Sequence, residues 1–216
     1  ISARGIGIQR LFSAAKKLFP KAKVMSVSSE TPSQPFWEAD IVVATKYIVP
    51  WVELIKPVLS CIFDIDALLS FPHFAQYESV YRLIFTLRKE SKRLIIHTKQ
   101  VDNPLFNLTP LEFLIDESKK REEKRLPPFG HILYFLFDDP EENKAKEKAE
   151  KLYEYLIGKG CRCLPPFPSL YPKRKGKYRY LLVTPALTLS SARKVLKLAS
   201  RFDKKLKWFL DIQEMI

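Results

Sequence analysis

The sequence of 216 residues contains little cysteine and little glycine. Three cysteines cannot build a disulfide scaffold, and six glycines argue against fibrous folds and folds rich in glycine loops. No apolar run, including that from Ile132 to Phe137, approaches the roughly 18 residues of a membrane-spanning helix. The chain is nevertheless 46% hydrophobic and 12% aromatic, which excludes a disordered protein. We expect a packed protein without a membrane partner.

Zinc-type spacing and a secretory signal are also missing. Cys161 and Cys163 form a Cys-x-Cys pair, but no second pair follows at the spacing of zinc ligands. The N-terminal stretch has neither a long apolar segment nor a small-residue cleavage site. We therefore expect reduced thiols, no metal in this chain and a cytoplasmic location. Because the first residue is Ile rather than Met, we also expect an upstream part of the polypeptide.

Acidic residues are absent from one long stretch of the second half. Residues 155–202 contain eleven Lys or Arg and no Asp or Glu, and the whole chain has a net charge of +13. A field of one sign attracts polyanions, which release counterions on contact. The alternative is a generally basic, solvated surface, although such surfaces usually include interspersed acids. The charge pattern therefore favours a nucleic acid as partner, and charge alone does not separate DNA from RNA.

The first hundred residues alternate between helix-like and strand-like patterns. We predict helices over 11–19 and 74–87, with strands over 23–27, 41–45, 58–63 and 94–98. This βαβ rhythm predicts an open α/β sheet of parallel strands. Thr109 followed by Pro110 predicts the start of another helix, whose buried candidates are Phe113, Leu114 and Leu126.

The second half has the pattern of a small α+β domain. We predict strands over 130–137, 178–184 and 206–212, and helices over 140–157 and 189–206. Prolines between 165 and 172 predict a stiff connection, followed by an exposed basic loop over 173–177. The predicted domains are therefore residues 1–104, of the α/β class with a parallel sheet, and residues 105–216, of the α+β class.

The basic loop and the helix that starts at Leu189 are the candidate nucleic-acid contact surface. The apolar residues of this helix share one face, and its basic residues fall elsewhere. Tyr171, Tyr178 and Tyr180 interleave with the loop cations, which fits base stacking as well as it fits core packing. The predicted contact residues are Lys173, Arg174, Lys175, Lys177, Arg179, Arg193, Lys194, Lys197 and Arg201.

Several segments resemble the PriA-type primosomal protein N′ family, the DNA helicases of replication restart. The residues that carry the resemblance are Phe113, Glu117 and Arg121, the Leu-Pro-Pro-Phe of 126–129, the Tyr-Arg-Tyr-Leu-Leu-Val of 178–183 and the Lys-Trp-Phe-Leu-Asp-Ile of 207–212. The resemblance implies the C-terminal portion of such a protein: a degenerate second RecA-like helicase lobe over 1–104 and the family's C-terminal domain over 105–216. It also implies forked or single-stranded DNA, single-stranded DNA-binding protein and primosome components as partners, near the bacterial nucleoid.

The family's catalytic motifs are eroded. The arginine-bearing motif aligns with Thr86 to Arg93, where Glu90 replaces the first arginine and Arg93 matches the second. An arginine there would stabilise charge on the transferred phosphoryl group, and Glu90 reverses the sign of that interaction. No G-x-x-x-x-G-K-[ST] sequence occurs either. We expect no catalytic residue and no ATPase activity in this chain, because ATP and zinc sites would require upstream regions.

Two alternatives remain open for the function, and one for a pair of acids. The chain could be the C-terminal part of an active ATP-dependent DNA helicase whose nucleotide-binding lobe is missing here. It could also be a basic protein associated with RNA or the ribosome. Asp64 and Asp66 could form a carboxylate pair for catalysis, but their place at the end of a predicted strand favours a turn cap and a solvated charge.

Overall fold

A computed structural model describes residues 7–28, 35–71 and 73–212; of Leu170 and Tyr171 it describes the backbone alone. Within these ranges the chain forms two compact units. Unit 1 contains the described residues up to 71 and residues 76–108, and unit 2 contains residues 73–75 and 109–212. None of the described helices is long and apolar enough to cross a bilayer.

Unit 1 is a mixed α/β unit with small parallel sheets. Its strands are β1 (Val24–Val27), β2 (Ile41–Ala44), β3 (Leu59–Ile62) and β4 (Arg93–Ile96), and its helices are α1 (Ile8–Leu18), α2 (Val52–Ile55), α3 (Ile65–Leu69) and α4 (Gln76–Glu90). Short 3₁₀ turns cover Phe36–Glu38, Lys46–Trp51 and Pro104–Phe106. The parallel pairing expected from the βαβ rhythm is confirmed for β1 with β2 and for β3 with β4.

The sequence predicted one open sheet for unit 1. In the structure its described strands instead form two separate pairs. Strand β3 exposes 50% of Leu59, and β4 exposes 54% of Ile95. A parallel sheet is ordinarily covered on both faces. The open face of β3 and β4 therefore marks a departure from the usual arrangement. The core of this unit lies instead around α3 and α4, where Ile65, Val80 and Ile84 are fully buried.

Unit 2 begins with helix α5 (Pro110–Glu123), and its N-terminus follows the sequence signal. The Thr109 side chain accepts from the Glu112 N–H, and the Glu112 carboxylate accepts from the Thr109 N–H at 2.8 Å, which completes a capping box. Phe113 is buried as predicted, but Leu114 is 60% exposed, so the prediction of its burial was wrong. Phe113 and Leu114 are adjacent in the helix, so their side chains point in different directions and only Phe113 faces the core.

The rest of unit 2 is a four-stranded antiparallel sheet with two helices. Its elements are β5 (His131–Asp139), α6 (Glu142–Gly158), β6 (Leu164–Arg174), β7 (Lys177–Ala186), α7 (Leu189–Phe202) and β8 (Lys207–Leu210). The strand order is β6-β7-β5-β8. Helices α6 and α7 cover one face, where Phe135, Leu152 and Leu182 are fully buried in the main core.

The opposite face of this sheet has a smaller core. Ile132, Tyr134 and Val183 are buried there, and Phe74 and Leu126 pack against them. Because side chains alternate along a strand, the odd-numbered residues of β5 face the helices and its even-numbered residues face this second core. The alternation continues to the ends of the strands, where it also distributes the charged residues between the two faces of the sheet.

Strand β6 corrects a sequence prediction. The proline-rich stretch from 165 to 172 is not a stiff connection but part of a strand that reaches Arg174. Proline cannot donate to a strand ladder, and it is therefore tolerated at a sheet edge and at bulges. Strand β6 is an edge strand, and its register against β7 shifts between Leu164 and Phe167 and again between Pro168 and Lys173. The prolines thus fit a strand that the sequence pattern conceals.

Candidate nucleic-acid interface

A tight hairpin replaces the predicted basic loop. Arg174 pairs with Lys177, and only Lys175 and Gly176 lie between them, with φ of 48° and 76°. Two central residues at positive φ form a type I′ turn, whose twist matches that of the flanking strands. Lys173, Arg174, Lys175 and Lys177 are all exposed. We call these four residues the basic hairpin.

The pairing register divides the basic hairpin between the two faces of the sheet. Lys173 pairs with Tyr178, and its Nζ lies 4.6 Å from the centre of the Tyr178 ring, on the side of the helices. Arg174 and Lys177 pair with each other and therefore point to the opposite face. The hairpin consequently presents positive charge in both directions at one end of the sheet.

Arg179 differs from the other predicted contact residues because it is buried. Only 6% of the residue is exposed, and its Nη1 has no hydrogen-bond partner among the described residues. Burial lowers the pKa of the Arg179 guanidinium, and the nearby charge of Arg174 lowers it further, whereas Asp138 opposes both effects. The sequence predicted an accessible strand residue here and did not reveal that the side chain lies beneath its neighbours.

Asp138 and Lys207 lie beside Arg179, and the sequence analysis missed both. The Lys207 Nζ donates to Asp138 Oδ2 at 2.6 Å. This hydrogen bond and the charges of Lys207, Lys177 and Arg179 lower the pKa of the Asp138 carboxyl. Residues 138 and 207 are 69 positions apart. Only the register of β5 with β7 and β8 brings them together, and no local sequence signal reveals that register.

Helix α7 carries the remaining predicted contact residues on its exposed face. Arg193, Lys194, Lys197 and Arg201, here called the α7 cations, are all exposed, and none forms an ion pair with a described residue. Ala192, Val195 and Ala199 are buried on the other side of the helix, as its apolar pattern predicts. The Thr188 side chain caps its N-terminus by accepting from the Ser191 N–H.

The basic hairpin and the α7 cations do not form one continuous cluster. Helices α6 and α7 pack against each other and against both β5 and β7, but only α6 packs closely against β6, the first strand of the hairpin. Among the described residues no hydrogen bond or ion pair joins the hairpin to the α7 cations. The sequence analysis treated the loop and the helix as one surface; in the structure α6, which packs against both β6 and α7, is the helix nearer to the hairpin.

Helix α6 is charged but internally neutralised. Lys151 pairs with Glu147 at 2.7 Å, at the i, i+4 spacing that favours such pairs, and Lys148 pairs with Asp139 at the same distance. Lys146 has a glutamate four residues away on either side, and it pairs with Glu150 rather than with Glu142. Lysines on α6 therefore have acidic partners, whereas the α7 cations lack them.

The aromatic residues of the hairpin region belong mainly to the core. Tyr180 is 8% exposed in the main core of unit 2, and its hydroxyl donates to Glu142 Oε1 at 3.3 Å. Tyr178 packs against the same core and is partly exposed. Core packing is therefore the better interpretation for Tyr180, while the side chain of Tyr171 lies outside the described part of the structure.

The candidate catalytic remnants of unit 1 lie where α4 leads into β4. Glu90 ends α4, and its carboxylate lies 3.0 Å from Lys89 Nζ. Arg93 is the first residue of β4 and is exposed. A carboxylate therefore occupies the position at which the family resemblance expects the first arginine, next to a lysine that partly neutralises it.

Asp66 has a structural role that its sequence pattern did not specify. Its carboxylate accepts from the Lys99 N–H at 2.7 Å and from Thr98 Oγ1 at 2.8 Å. These hydrogen bonds hold the pKa of Asp66 below its ordinary value. Asp64 has a φ of 54°, and its N–H donates to His97 Nδ1. The Asp66 carboxylate thus organises the turn after β4, whereas Asp64 takes part in the turn after β3 through its backbone and makes no cap hydrogen bond with its side chain, which favours the turn interpretation over a catalytic pair.

Comparison with known proteins gives one consistent result. No protein-family model matches the chain. Curated relatives that match carry the name replication restart protein PriA, among them those of Rickettsia prowazekii (24% identical over 93% of this chain), Bacillus subtilis (26% over 83%) and Thermotoga maritima (23% over 83%). The resemblance seen in the sequence is thereby confirmed. The chain spans 34%, 25% and 27% of the length of these three relatives, respectively.

Proposed function

We propose that this chain is a DNA-binding part of a replication restart protein of helicase lineage and that it lacks ATPase activity of its own. The similarity to proteins named replication restart protein PriA supports the role in replication restart. The basic surfaces of unit 2 support DNA binding. In this proposal the chain acts in the bacterial cytoplasm, near the nucleoid.

The basic hairpin is the observation that carries the proposal. It places four exposed cations on a type I′ turn, within a stretch of 48 residues that contains no acid. Such a concentration of one sign attracts the phosphates of a nucleic acid and releases their counterions. The α7 cations add a second exposed group without acidic partners. Forked or single-stranded DNA is therefore the proposed ligand.

Unit 1 is proposed to be a degenerate second RecA-like lobe. Its parallel strand pairs and alternating helices are compatible with that origin. Glu90, in place of an arginine, would repel the phosphoryl charge that an active lobe stabilises. The absence of a phosphate-binding glycine-rich loop from the sequence supports the same conclusion. We therefore propose no cofactor for this chain; ATP and zinc would bind to other parts of a longer protein.

The proposed protein partners follow from the same resemblance. Primosome components and single-stranded DNA-binding protein are the expected ones, and an acidic segment of a partner would be attracted by the same positive field. The α7 cations suit such a contact as well as they suit DNA, because all four are exposed and have no acidic partner among the described residues.

The second candidate is that the chain supplies the C-terminal part of an active ATP-dependent DNA helicase. The observation that favours it is length, because the chain covers only 25–34% of the three relatives named above. A nucleotide-binding lobe would then come from another part of the polypeptide. An in-frame coding sequence for such a lobe upstream of Ile1 would support this candidate, and its absence would leave the first one.

Equilibrium binding at several salt concentrations tests the DNA site. Changing the four cations of the basic hairpin to Ala should weaken binding to a fluorescent forked DNA and reduce the slope of log K against log salt by about 3, at 0.7–0.9 for each phosphate contact. The matched control changes Lys144, Lys146, Lys148 and Lys151 of α6 to Ala, which removes the same charge from ion-paired positions.

The two variants separate a local site from a general charge effect. We expect the control to keep most of the wild-type slope, because its lysines already have acidic partners. Equal losses in both variants would mean that net charge alone attracts DNA, and this would reject the hairpin as the site. Competition with structured RNA tests the alternative that the chain binds RNA. If unlabelled RNA displaces the forked DNA at a much lower concentration than unlabelled forked DNA does, the chain is an RNA-binding protein.

A further inference from the structure

We propose that Arg179 is the centre of a phosphate-binding site at one end of the unit 2 sheet, and that the phosphate belongs to the backbone of a nucleic-acid strand. The identity of the strand rests on the proposed function; the existence of the site does not. The site shares Arg174 and Lys177 with the basic hairpin, but its central residue is buried and all of its side chains lie on the sheet face opposite α6 and α7.

The strand register assembles this site. Arg179 of β7 pairs with Asp138 of β5, and Arg174 of β6 pairs with Lys177 of β7. Lys207 of β8 pairs with the β5 residue that lies two positions before Asp138. Paired residues share a face of the sheet, and so do residues two apart on one strand. All five side chains therefore lie on the same face, at the same end of three adjacent strands and the edge strand beside them.

This face carries the second core and is not covered by α6 or α7. Tyr180 and Leu182, which alternate with Arg179 along β7, pack into the main core beneath α6 and α7. Val183, on the same side as Arg179, belongs to the second core instead. A ligand at Arg179 would therefore approach without meeting either helix.

The burial of Arg179 indicates a missing partner. The residue is 6% exposed, and no described group accepts a hydrogen bond from its Nη1. Burying an unpaired guanidinium is unfavourable, because the group loses hydration without gaining an acceptor. Burial also lowers its pKa, as does the adjacent charge of Arg174. An anion that enters the site would supply both the acceptor and the compensating charge.

The protein's own carboxylate compensates Arg179 only in part. Asp138 lies opposite Arg179 on β5, but its Oδ2 is held by Lys207 at 2.6 Å. Arg174 and Lys177 add two more cations at the exposed rim. Four cations thus surround one carboxylate, and the cluster keeps an excess of positive charge.

A phosphate fits this cluster better than a carboxylate does. The planar guanidinium of arginine binds two oxygens of one phosphate at once, and the flexible lysines reach a third oxygen as point charges. The rim residues Arg174 and Lys177 also adjoin Lys175 at the turn, so that the cations continue in a row. A row of positive charges suits successive phosphates of a strand, whereas a single acidic side chain would engage only part of it.

The test compares Arg179→Met with Arg162→Met. Both variants lose one positive charge, and Arg162 is exposed in the link between α6 and β6, at the opposite end of the sheet. Inorganic pyrophosphate and a single-stranded oligonucleotide are the two probes. We expect pyrophosphate to raise the melting temperature of the wild type and of Arg162→Met, but not that of Arg179→Met. Oligonucleotide affinity should fall about tenfold or more in Arg179→Met alone.

The stability of the unliganded variant provides a second readout. If Arg179 lacks a partner, Arg179→Met should melt at the same temperature as the wild type or higher, since it removes a buried charge. A lower melting temperature with unchanged affinity for both probes would overturn the proposal and make Arg179 a structural residue. Arg179→Lys is the control for misfolding, because it keeps the positive charge and loses only the planar guanidinium. Undiminished affinity in this variant would also contradict a contact with two phosphate oxygens.

The two probes separate this proposal from the proposed function. If the wild type binds no oligonucleotide but pyrophosphate stabilises it through Arg179, the site takes a free phosphate, and the nucleic-acid part of the proposal is rejected together with the proposed function. If oligonucleotide binds and Arg179→Met binds it equally well, only the present inference fails. Binding of an acidic peptide, with no response to either phosphate probe, would also overturn it.

Discussion

Lys175 links the stability of the hairpin to its charge, and replacing it with Asn should change the two in opposite directions. Lys175 adopts a φ of 48°, in the left-handed region that side chains with a Cβ rarely adopt. Asn tolerates this region, and Asn followed by Gly is a preferred pair for a type I′ turn. Gly176 already occupies the second position with a φ of 76°. Lys175→Asn therefore completes the preferred turn and removes one exposed cation.

The expected magnitudes are modest but measurable. The left-handed conformation costs an ordinary residue about 1 kcal/mol, and Asn recovers part of this cost. In a domain of about 100 residues, half of that energy corresponds to roughly 2–4 °C in melting temperature. Loss of one phosphate contact should lower the slope of log K against log salt by about 0.7–0.9. Thermal unfolding and salt-dependent fluorescence anisotropy measure the two effects on one preparation.

Lys177→Asn is the matched control, because it removes the same charge from a strand position. Asn is disfavoured in strands, so this variant should not gain stability. If both variants gain the same stability, relief of charge repulsion explains the increase and the turn argument is refuted. If Lys175→Asn keeps the wild-type salt slope, Lys175 does not contact a phosphate.

Three other predictions follow from the same structure. The purified chain should show no DNA-stimulated phosphate release from ATP, because Glu90 opposes the phosphoryl charge; turnover that disappears in Arg93→Ala would contradict this. Asp66 has a lowered pKa, so its hydrogen bonds should stabilise the fold above its unfolded value of about 3.8 and lose that effect as the pH falls through the folded value. Urea unfolding between about pH 6 and about pH 2 should show a weaker acid dependence in Asp66→Asn, and an unchanged dependence would reject the role of Asp66 in the turn. Finally, Ala substitution of the basic hairpin and of the α7 cations should give additive losses of binding free energy within about 0.5 kcal/mol, as expected of separated sites; strong non-additivity would mean that they form one surface.

Local signals in the sequence predicted the starts of α5 and α7 well. Thr109 and Glu112 stand at the spacing of a capping box, and the structure contains that box. The apolar face of α7 followed in the same way from its 3.6-residue period, although Leu189 and Phe202 at its two ends are 50% and 41% exposed. Such features depend on residues within one or two turns of a helix, so a single sequence contains the information.

Features that depend on register were not predicted. Strand β6 was missed because its prolines read as a connection, and only its place at the sheet edge makes them acceptable. The burial of Arg179 and its proximity to Lys207 depend on which strands pair and in what alignment. A shift of one residue would turn Arg179 to the other face. No composition or periodicity argument distinguishes those two registers.

Helix α6 limits the electrostatic coupling between the two basic surfaces of unit 2. Its lysines are paired with acids of the helix itself or of the residues just before it, so α6, which packs against both β6 and α7, adds almost no net field. At physiological ionic strength the field of an exposed charge decays within about 8 Å. Each basic surface therefore acts locally, and a ligand that engages both must itself reach from one to the other. A branched DNA, which presents two backbones that diverge from one junction, satisfies that condition more readily than a short single strand does.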